Sequence, residues 1–281
     1  MMSNVKNQRF WRFANLLQMV RNLWLHRELI GIFTRREIQG RYKGTSLGLL
    51  WSMANPLMLL LIYTFVFGVV FNMRWKESGT DRLSEFSITL FCGLIVFNLF
   101  SECISIAPGL ITRNPNYVRK VVFPLEILPV SVLGSALFHG AMSLVLLVVA
   151  NGLVNREFHL TVLLAPFVVL PVILLTLGAS WFLAGIGVVF RDIQQILSLV
   201  LTGLFFGTPI FYEISQMPPG VQPFMKLNPL APSVEALRQV ILWGRVPKLE
   251  ILSFWTVFGI LFMVAGYAFF MKIRRVFADW V

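Results

Sequence analysis

The sequence predicts an all-α, polytopic membrane protein with six transmembrane helices, an N-terminal amphipathic interface helix, and short re-entrant helices between the fifth and sixth spans. Three observations carry this. Hydrophobic residues make up 57% of the chain and charged residues only 13%, against roughly a quarter charged in soluble domains. The segment RREIQGRYK gathers Arg35, Arg36, Arg41 and Lys43, and no charge follows from Gly44 to Met73. That is ample for a helical span, which needs roughly 20 apolar residues. Further uncharged stretches of similar length recur. Each is expected to be helical, because a lipid-exposed chain must satisfy its own N–H and C=O groups. Alternating barrel strands of about ten residues are not seen.

Residues 9–28 read as a helix lying on the membrane. Phe10, Phe13, Leu17, Val20 and Trp24 recur at helical spacing, while Arg9, Arg12 and Arg27 lie mostly elsewhere. Mixed basic and aromatic residues favour the interfacial plane; packing on the protein's own cytoplasmic surface is the alternative. No signal peptide is expected, since an apolar core and a small-residue cleavage site are both missing. The chain divides into a basic interface segment, residues 1–43, and a transmembrane domain, residues 44–281.

In the first span, Asn55-Pro56 predicts a bend, because proline removes a backbone hydrogen bond. Gly40, Gly44 and Gly48, spaced four apart, suggest a smooth helix face for close packing. Trp51, Tyr63, Phe65, Phe67 and Phe71 face lipid or neighbouring helices, or line a conduit. The second span runs from Phe86 to Leu110, the third from Ile127 to Val154, the fourth from Phe158 to Phe190, the fifth from Ile193 to Tyr212 and the sixth from Ile251 to Met271. The segment from Glu213 to Glu250 is rich in proline yet contains VEALRQVILWG. There Val234, Leu237, Ile241 and Leu242 mark one side of a short helix, with Glu235 and Arg238 toward the other. Two short helices dipping into the outer leaflet fit this pattern.

Charge sorts the topology. With six spans and the basic collar inside, the inner side holds the nine Lys and Arg before the first span, together with Arg113, Arg119, Lys120, Arg191, Lys272, Arg274 and Arg275. These are 16 of the 24 Lys and Arg in the chain. Both termini are therefore expected in the cytoplasm. The net charge of +11 and pI near 10.3 follow from topology, with anionic lipid as partner, and require no nucleic acid.

Chemistry-bearing residues are sparse. Glu102 is the one carboxylate inside a span. An intramembrane acid is a functional candidate by default, but Glu102 also reads as a group near the inner end of its helix, facing water or Arg113. His139 stands alone in the third span, where a helix-to-helix hydrogen bond is the expected role rather than metal binding. Cys92 and Cys103 share the second span and read as small packing residues, with no metal site or bridge implied. No GxxxxGK[ST] loop occurs; the nearest lookalike, GRYKGTS (Gly40 to Ser46), lacks the order that cradles phosphate. GxSxG, HExxH and Cys/His clusters are also missing. The cytoplasmic loop TRNPNYVRKVVFPLE brackets Tyr117, Val118, Arg119 and Lys120 between Pro115 and Pro124. It is either a proline-bounded docking turn for a soluble partner or an ordinary positive-inside turn.

Four segments carry a family resemblance: TRREIQGRYKGTSLGLLWSMANPL (Thr34 to Leu57), KVVFPLEILPV (Lys120 to Val130), FRDI (Phe190 to Ile193) and NPLAPSVEALRQVILWG (Asn228 to Gly244). In this order they resemble the membrane subunits of type-2 ABC transporters, in the Wzm/KpsM-like polysaccharide-export family that handles O-antigen and capsule. The resemblance implies a homodimer in the bacterial inner membrane, docked on two copies of a cytoplasmic ATPase of the Wzt type. ATP and Mg would be bound by that partner, leaving no cofactor and no catalytic residue in this chain. It implies export of an undecaprenyl-pyrophosphate-linked glycan, such as the O-antigen of lipopolysaccharide. On this basis Arg35, Arg36, Arg41 and Lys43 meet the lipid head group at the inner mouth. The stretch Asn114, Pro115, Asn116, Tyr117, Val118, Arg119 and Lys120 would be the ATPase-coupling helix. A polymer that must slide without being held favours a weakly binding wall, for which Trp51, Tyr63, Phe67, Phe71, Phe97, Phe100 and Trp181 are the candidates. Two rivals stand beside this reading: a type-2 ABC permease for a lipid or small drug, and a membrane enzyme acting on polyprenyl phosphates.

Overall fold

The computed structural model describes residues 16–71, 83–118, 123–156, 158–190 and 192–277. Among these residues every regular element is helical. Helix α1 (Leu16–Leu25) and helix α2 (Arg27–Tyr42) join at His26. Along α1, Met19 is buried while Leu17, Val20 and Trp24 are exposed. One side of the helix thus packs on the protein and its main apolar side is left bare. Arg9, Phe10, Arg12 and Phe13 lie outside the described residues.

The first span consists of a short 3-10 turn at Gly48–Leu50, helix α3 (Trp51–Tyr63) and a π-helical end at Thr64–Val70. Pro56 sits inside α3. The glycine expectation fails. Helix α2 stops at Tyr42, Gly44 and Gly48 have φ of +83° and +51°, and a Cβ on Gly40, Gly44 or Gly48 would meet nothing within 4 Å. Gly44 and Gly48 therefore serve the left-handed turns between collar and span, not a packing face.

Next come α4 (Leu83–Ile106), the four-residue α5 (Pro115–Val118), α6 (Ile127–Asn155), α7 (Ala165–Val189) and α8 (Ile193–Gly207). After them follow α9 (Gln222–Lys226), α10 (Ala231–Ile241) and α11 (Leu249–Ile273). Five helical stretches are long and apolar enough to cross a membrane: Gly48–Val70, Phe86–Gly109, Ile127–Asn155, Leu160–Val189 and Leu249–Ile273. The expected fifth span is the apolar α8, whose 15 residues reach about 22 Å against a hydrocarbon core of roughly 30 Å. By length alone the described residues therefore provide five spans rather than six.

Helix α4 is the centre of the bundle. Two thirds of its most apolar window is buried, against 17% for the first span. Helices α7 and α11 run together through glycines: a Cβ on Gly266 would lie 2.2 Å from the Gly178 carbonyl oxygen, and one on Gly178 would lie 2.8 Å from Met263 Cα. Without a water-driven hydrophobic effect between them, membrane helices gain by such close backbone approach. At one end of the bundle Glu126, just before α6, is buried and joins four elements. Its Oε2 accepts from Arg274 Nη1 (2.6 Å), its Oε1 from Asn22 Nδ2 (2.8 Å), and its carbonyl from Trp181 Nε1 (3.0 Å). A buried carboxylate persists only when paired and hydrogen-bonded in this way.

Helix α10 is held as firmly. Its last carbonyls, which have no intrahelical donors, accept from Thr161 Oγ1 (to Val240 O, 2.6 Å) and Asn151 Nδ2 (to Ile241 O, 3.4 Å), and His159 Nε2 lies 3.1 Å from Leu242 O. The helical spacing places Arg238 on the side away from Val234, Leu237, Ile241 and Leu242. Instead it is fully buried, donating from Nη2 to Pro209 O (2.7 Å) and Ile210 O (3.0 Å) and from Nε to Thr89 O (3.2 Å). The run of unpaired carbonyls around Pro209 draws the guanidinium inward, a tertiary requirement that helical spacing does not reveal.

Candidate functional site

Helix α2 presents the basic collar. Arg35, Arg36, Arg41 and Lys43 are all exposed, on a helix whose Phe33 and Tyr42 are buried. Arg35, Arg36 and Lys43, with Glu28 and Glu37, line a wide cleft of about 1380 Å³. Arg35 and Lys43 make no ion pair or side-chain hydrogen bond among the described residues.

The other two collar residues are engaged. Arg36 Nη1 donates to the Tyr117 hydroxyl at 2.6 Å, and its guanidinium lies 5.9 Å from the Tyr117 ring centre and 5.8 Å from that of Phe33. Tyr117 belongs to α5, the proline-led turn between α4 and α6, and stacks on Phe123 at 4.6 Å. The short helix is thus fastened to the collar through one aromatic residue. Just before it, Asn114 Nδ2 donates back to Leu110 O at 2.9 Å, and the Asn114 carbonyl accepts from Tyr117 N at 3.1 Å. Arg119 and Lys120 lie outside the described residues.

Arg41 reaches into the bundle. Its Nη2 lies 3.1 Å from Glu102 Oε1 on α4 and its Nη1 2.8 Å from His139 Nδ1 on α6, with Glu102 Oε1 3.2 Å from the same nitrogen. Glu102 therefore faces Arg41 rather than Arg113, and His139 forms the helix-to-helix contact expected of it. The Tyr42 ring meets His139 edge-on at 5.8 Å. Burial pushes the Tyr42 phenol up from its ordinary range, against the pull of the adjacent Arg41 charge. No group of three or more His, Cys, Asp or Glu among the described residues could hold a metal ion.

The aromatic candidates separate into groups. Tyr63, Phe67 and Phe71 form a row on the first span, with ring centres 6.0 and 5.9 Å apart. Phe67 meets Phe211 at 5.3 Å, Phe211 meets Phe205 at 5.1 Å, and Phe205 meets Phe97 at 5.0 Å. Four candidates are therefore joined through Phe205 and Phe211, which the sequence did not single out. The spacing of four along the first span was legible; the partners across the bundle were not. Trp51 and Phe100 are half-buried and stand apart from this row. Trp181 is wholly buried, packed against Tyr267 at 5.0 Å.

Sequence comparison decides the family. The profile of the ABC-2 type transporter family matches residues 28–242. The chain belongs to this family. As an ABC-2 transporter it is an integral membrane protein and a transporter subunit, not an enzyme in its own right. It is similar to the O-antigen export system permease protein RfbA of Myxococcus xanthus, 31% identical over 94% of this chain and 99% of that one. It is also similar to the RfbA protein of Klebsiella pneumoniae, 26% identical over 94% of this chain and 98% of that one. The polysialic acid transport protein KpsM of Escherichia coli is 25% identical over 84% of the transporter and 89% of its own length. The matched region takes in the collar, α5 and α10, so the three features described above lie within the family's shared part.

Proposed function

We propose that this chain is the membrane-spanning subunit of an ATP-driven exporter that moves undecaprenyl-pyrophosphate-linked polysaccharide across the bacterial inner membrane. The observation that carries this is the end-to-end likeness to an O-antigen export permease, 31% identical over 266 residues. In this reading α8 is the remaining span, which makes six and leaves both termini in the cytoplasm. Residues 1–43 form the interface segment, with the exposed Leu17, Val20 and Trp24 of α1 seated in the lipid boundary. The transporter works as a homodimer. Helix α8 is apolar yet has no buried residue, so it needs lipid or a second copy to cover it.

Arg35 and Lys43, exposed in the basic cleft, meet the pyrophosphate head group; guanidinium and ammonium groups are the usual phosphate partners. Arg36 links this collar to α5, the element that engages the ATPase, and ATP and Mg reside on that partner. The row Tyr63, Phe67 and Phe71 supplies flat rings along the path. Phe97 and Trp181, buried in this conformation, contribute little surface to it, and Trp181 acts as packing around Glu126. Removal of the chain from its host should abolish surface polysaccharide while lipid-linked polymer accumulates inside. Intact surface polysaccharide would overturn the reading and favour a permease for a lipid or small drug.

A further inference from the structure

Several polar side chains within the spans converge. Asn55 on α3, Asn98, Ser101 and Glu102 on α4, and His139 and Ser143 on α6 line one cavity of about 480 Å³, inside the roughly 300–1,000 Å³ range of small-molecule sites. Polar groups in a membrane-spanning helix are costly unless they find a partner. Here several have none: Asn55 and Asn98 make no side-chain hydrogen bond among the described residues, and His139 Nε2 is buried without one. Ser143 and Ser101 donate back to their own helix, to His139 O at 3.0 Å and Asn98 O at 3.4 Å, which leaves their oxygens as acceptors.

The kind of ligand follows from this lining. The one full negative charge, on Glu102, is neutralised by Arg41 at 3.1 Å, so the cavity has no spare cation for a phosphate. An acyl chain would leave the amides unpaired. Two amides, several hydroxyl acceptors, a carboxylate and an imidazole match the alternating donors and acceptors of a polyhydroxylated ring. Position adds a second argument. Tyr42 lines both this cavity and the basic cleft that holds Arg35 and Lys43. A molecule with a pyrophosphate joined directly to a sugar would span the two, anion on the collar and ring in the cavity.

The geometry points to a pyranose-binding subsite in this cavity, taking the sugar attached to the lipid pyrophosphate; it rests on the reading of the collar as a head-group site. Arg41 stands at the boundary between the subsites and holds Glu102 in place for a sugar hydroxyl.

The test uses the full chain purified with its ATPase and two probes: a short-chain polyprenyl pyrophosphate, and the same molecule carrying one hexose. The wild-type complex is expected to bind the hexosyl probe about tenfold more tightly than the bare one. Asn55→Ala with Asn98→Ala should erase that preference while leaving affinity for the bare probe unchanged; co-elution with the ATPase shows that the variant is folded. Lys43→Gln should weaken both probes alike. Equal binding of the two probes by the wild type overturns the sugar subsite and leaves the collar reading standing. Binding of neither overturns both, and a preference that survives the double substitution overturns the assignment to this cavity.

Discussion

Gly266→Ala is the sharpest test of how the bundle is held. A methyl at Gly266 would sit 2.2 Å from the Gly178 carbonyl oxygen, about 1.2 Å inside the ~3.4 Å at which ordinary contact begins, with Gly178 C at 2.8 Å and Cα at 3.0 Å. Every one of these atoms is backbone, so no rotamer change relieves the clash and α7 and α11 must part. They are in close contact at other levels too, at Gly178 against Met263 and at Gly259 against the Pro171 carbonyl oxygen (3.1 Å). Separation therefore loosens the whole seam. Overpacking of this kind costs about 1–3 kcal/mol, offset by the roughly 0.5–1 kcal/mol that alanine gains over glycine within a helix. The net expectation is a loss of about 1–2 kcal/mol. Gly31→Ala, in the middle of α2 where a Cβ meets nothing within 4 Å, should show the helix gain alone. The same change is thus expected to have opposite signs at two sites. Unfolding midpoints of the purified protein in mixed detergent micelles, titrated with a denaturing detergent, read both. A Gly266→Ala protein as stable as wild type, or a Gly31→Ala protein destabilised to the same degree, would refute the reasoning.

Three further outcomes are expected. Arg238→Met removes the donors to Thr89, Pro209 and Ile210; Thr89 O keeps its place in the helix ladder, but the buried Pro209 and Ile210 carbonyls are stranded at about 1 kcal/mol or more each, so thermal unfolding should come markedly earlier, and Arg238→Lys should recover part of the loss. Glu126→Ala leaves Arg274, Asn22 and the end of α11 without their shared acceptor, at about 3–5 kcal/mol for a broken buried pair, and proteolysis should find the C-terminal segment first. Arg119→Glu with Lys120→Glu should abolish co-purification of the ATPase while the chain stays monodisperse; unchanged co-purification would remove the docking role from this loop.

Much of the architecture was legible because membrane burial imposes a one-dimensional rule. The uncharged stretches beginning at Gly44, Phe86, Ile127, Phe158 and Ile251 became long helices, since lipid leaves the backbone no other way to satisfy itself. The short helix after Pro115 was equally legible, because proline sets its start. The expectations that failed depended on which residues meet across the bundle. Gly40, Gly44 and Gly48 share a spacing, yet the chain turns between them. Glu235 and Arg238 share a helix side by periodicity, yet Arg238 is drawn into the interior by carbonyls some 30 residues earlier and, in Thr89, 149 residues away.

The sequence by itself determined where the chain is apolar, where it is basic and roughly where its long helices lie, because those properties depend on neighbours along the chain. Only the tertiary structure decided that the collar is divided, with Arg35 and Lys43 unpaired among the described residues, Arg36 tied to Tyr117 and Arg41 tied to Glu102 and His139. It alone gathered Asn55, Asn98 and His139 around one cavity. Those outcomes depend on distances between helices far apart in the chain, and the packing of glycines on α7 and α11 and the buried hub at Glu126 set those distances.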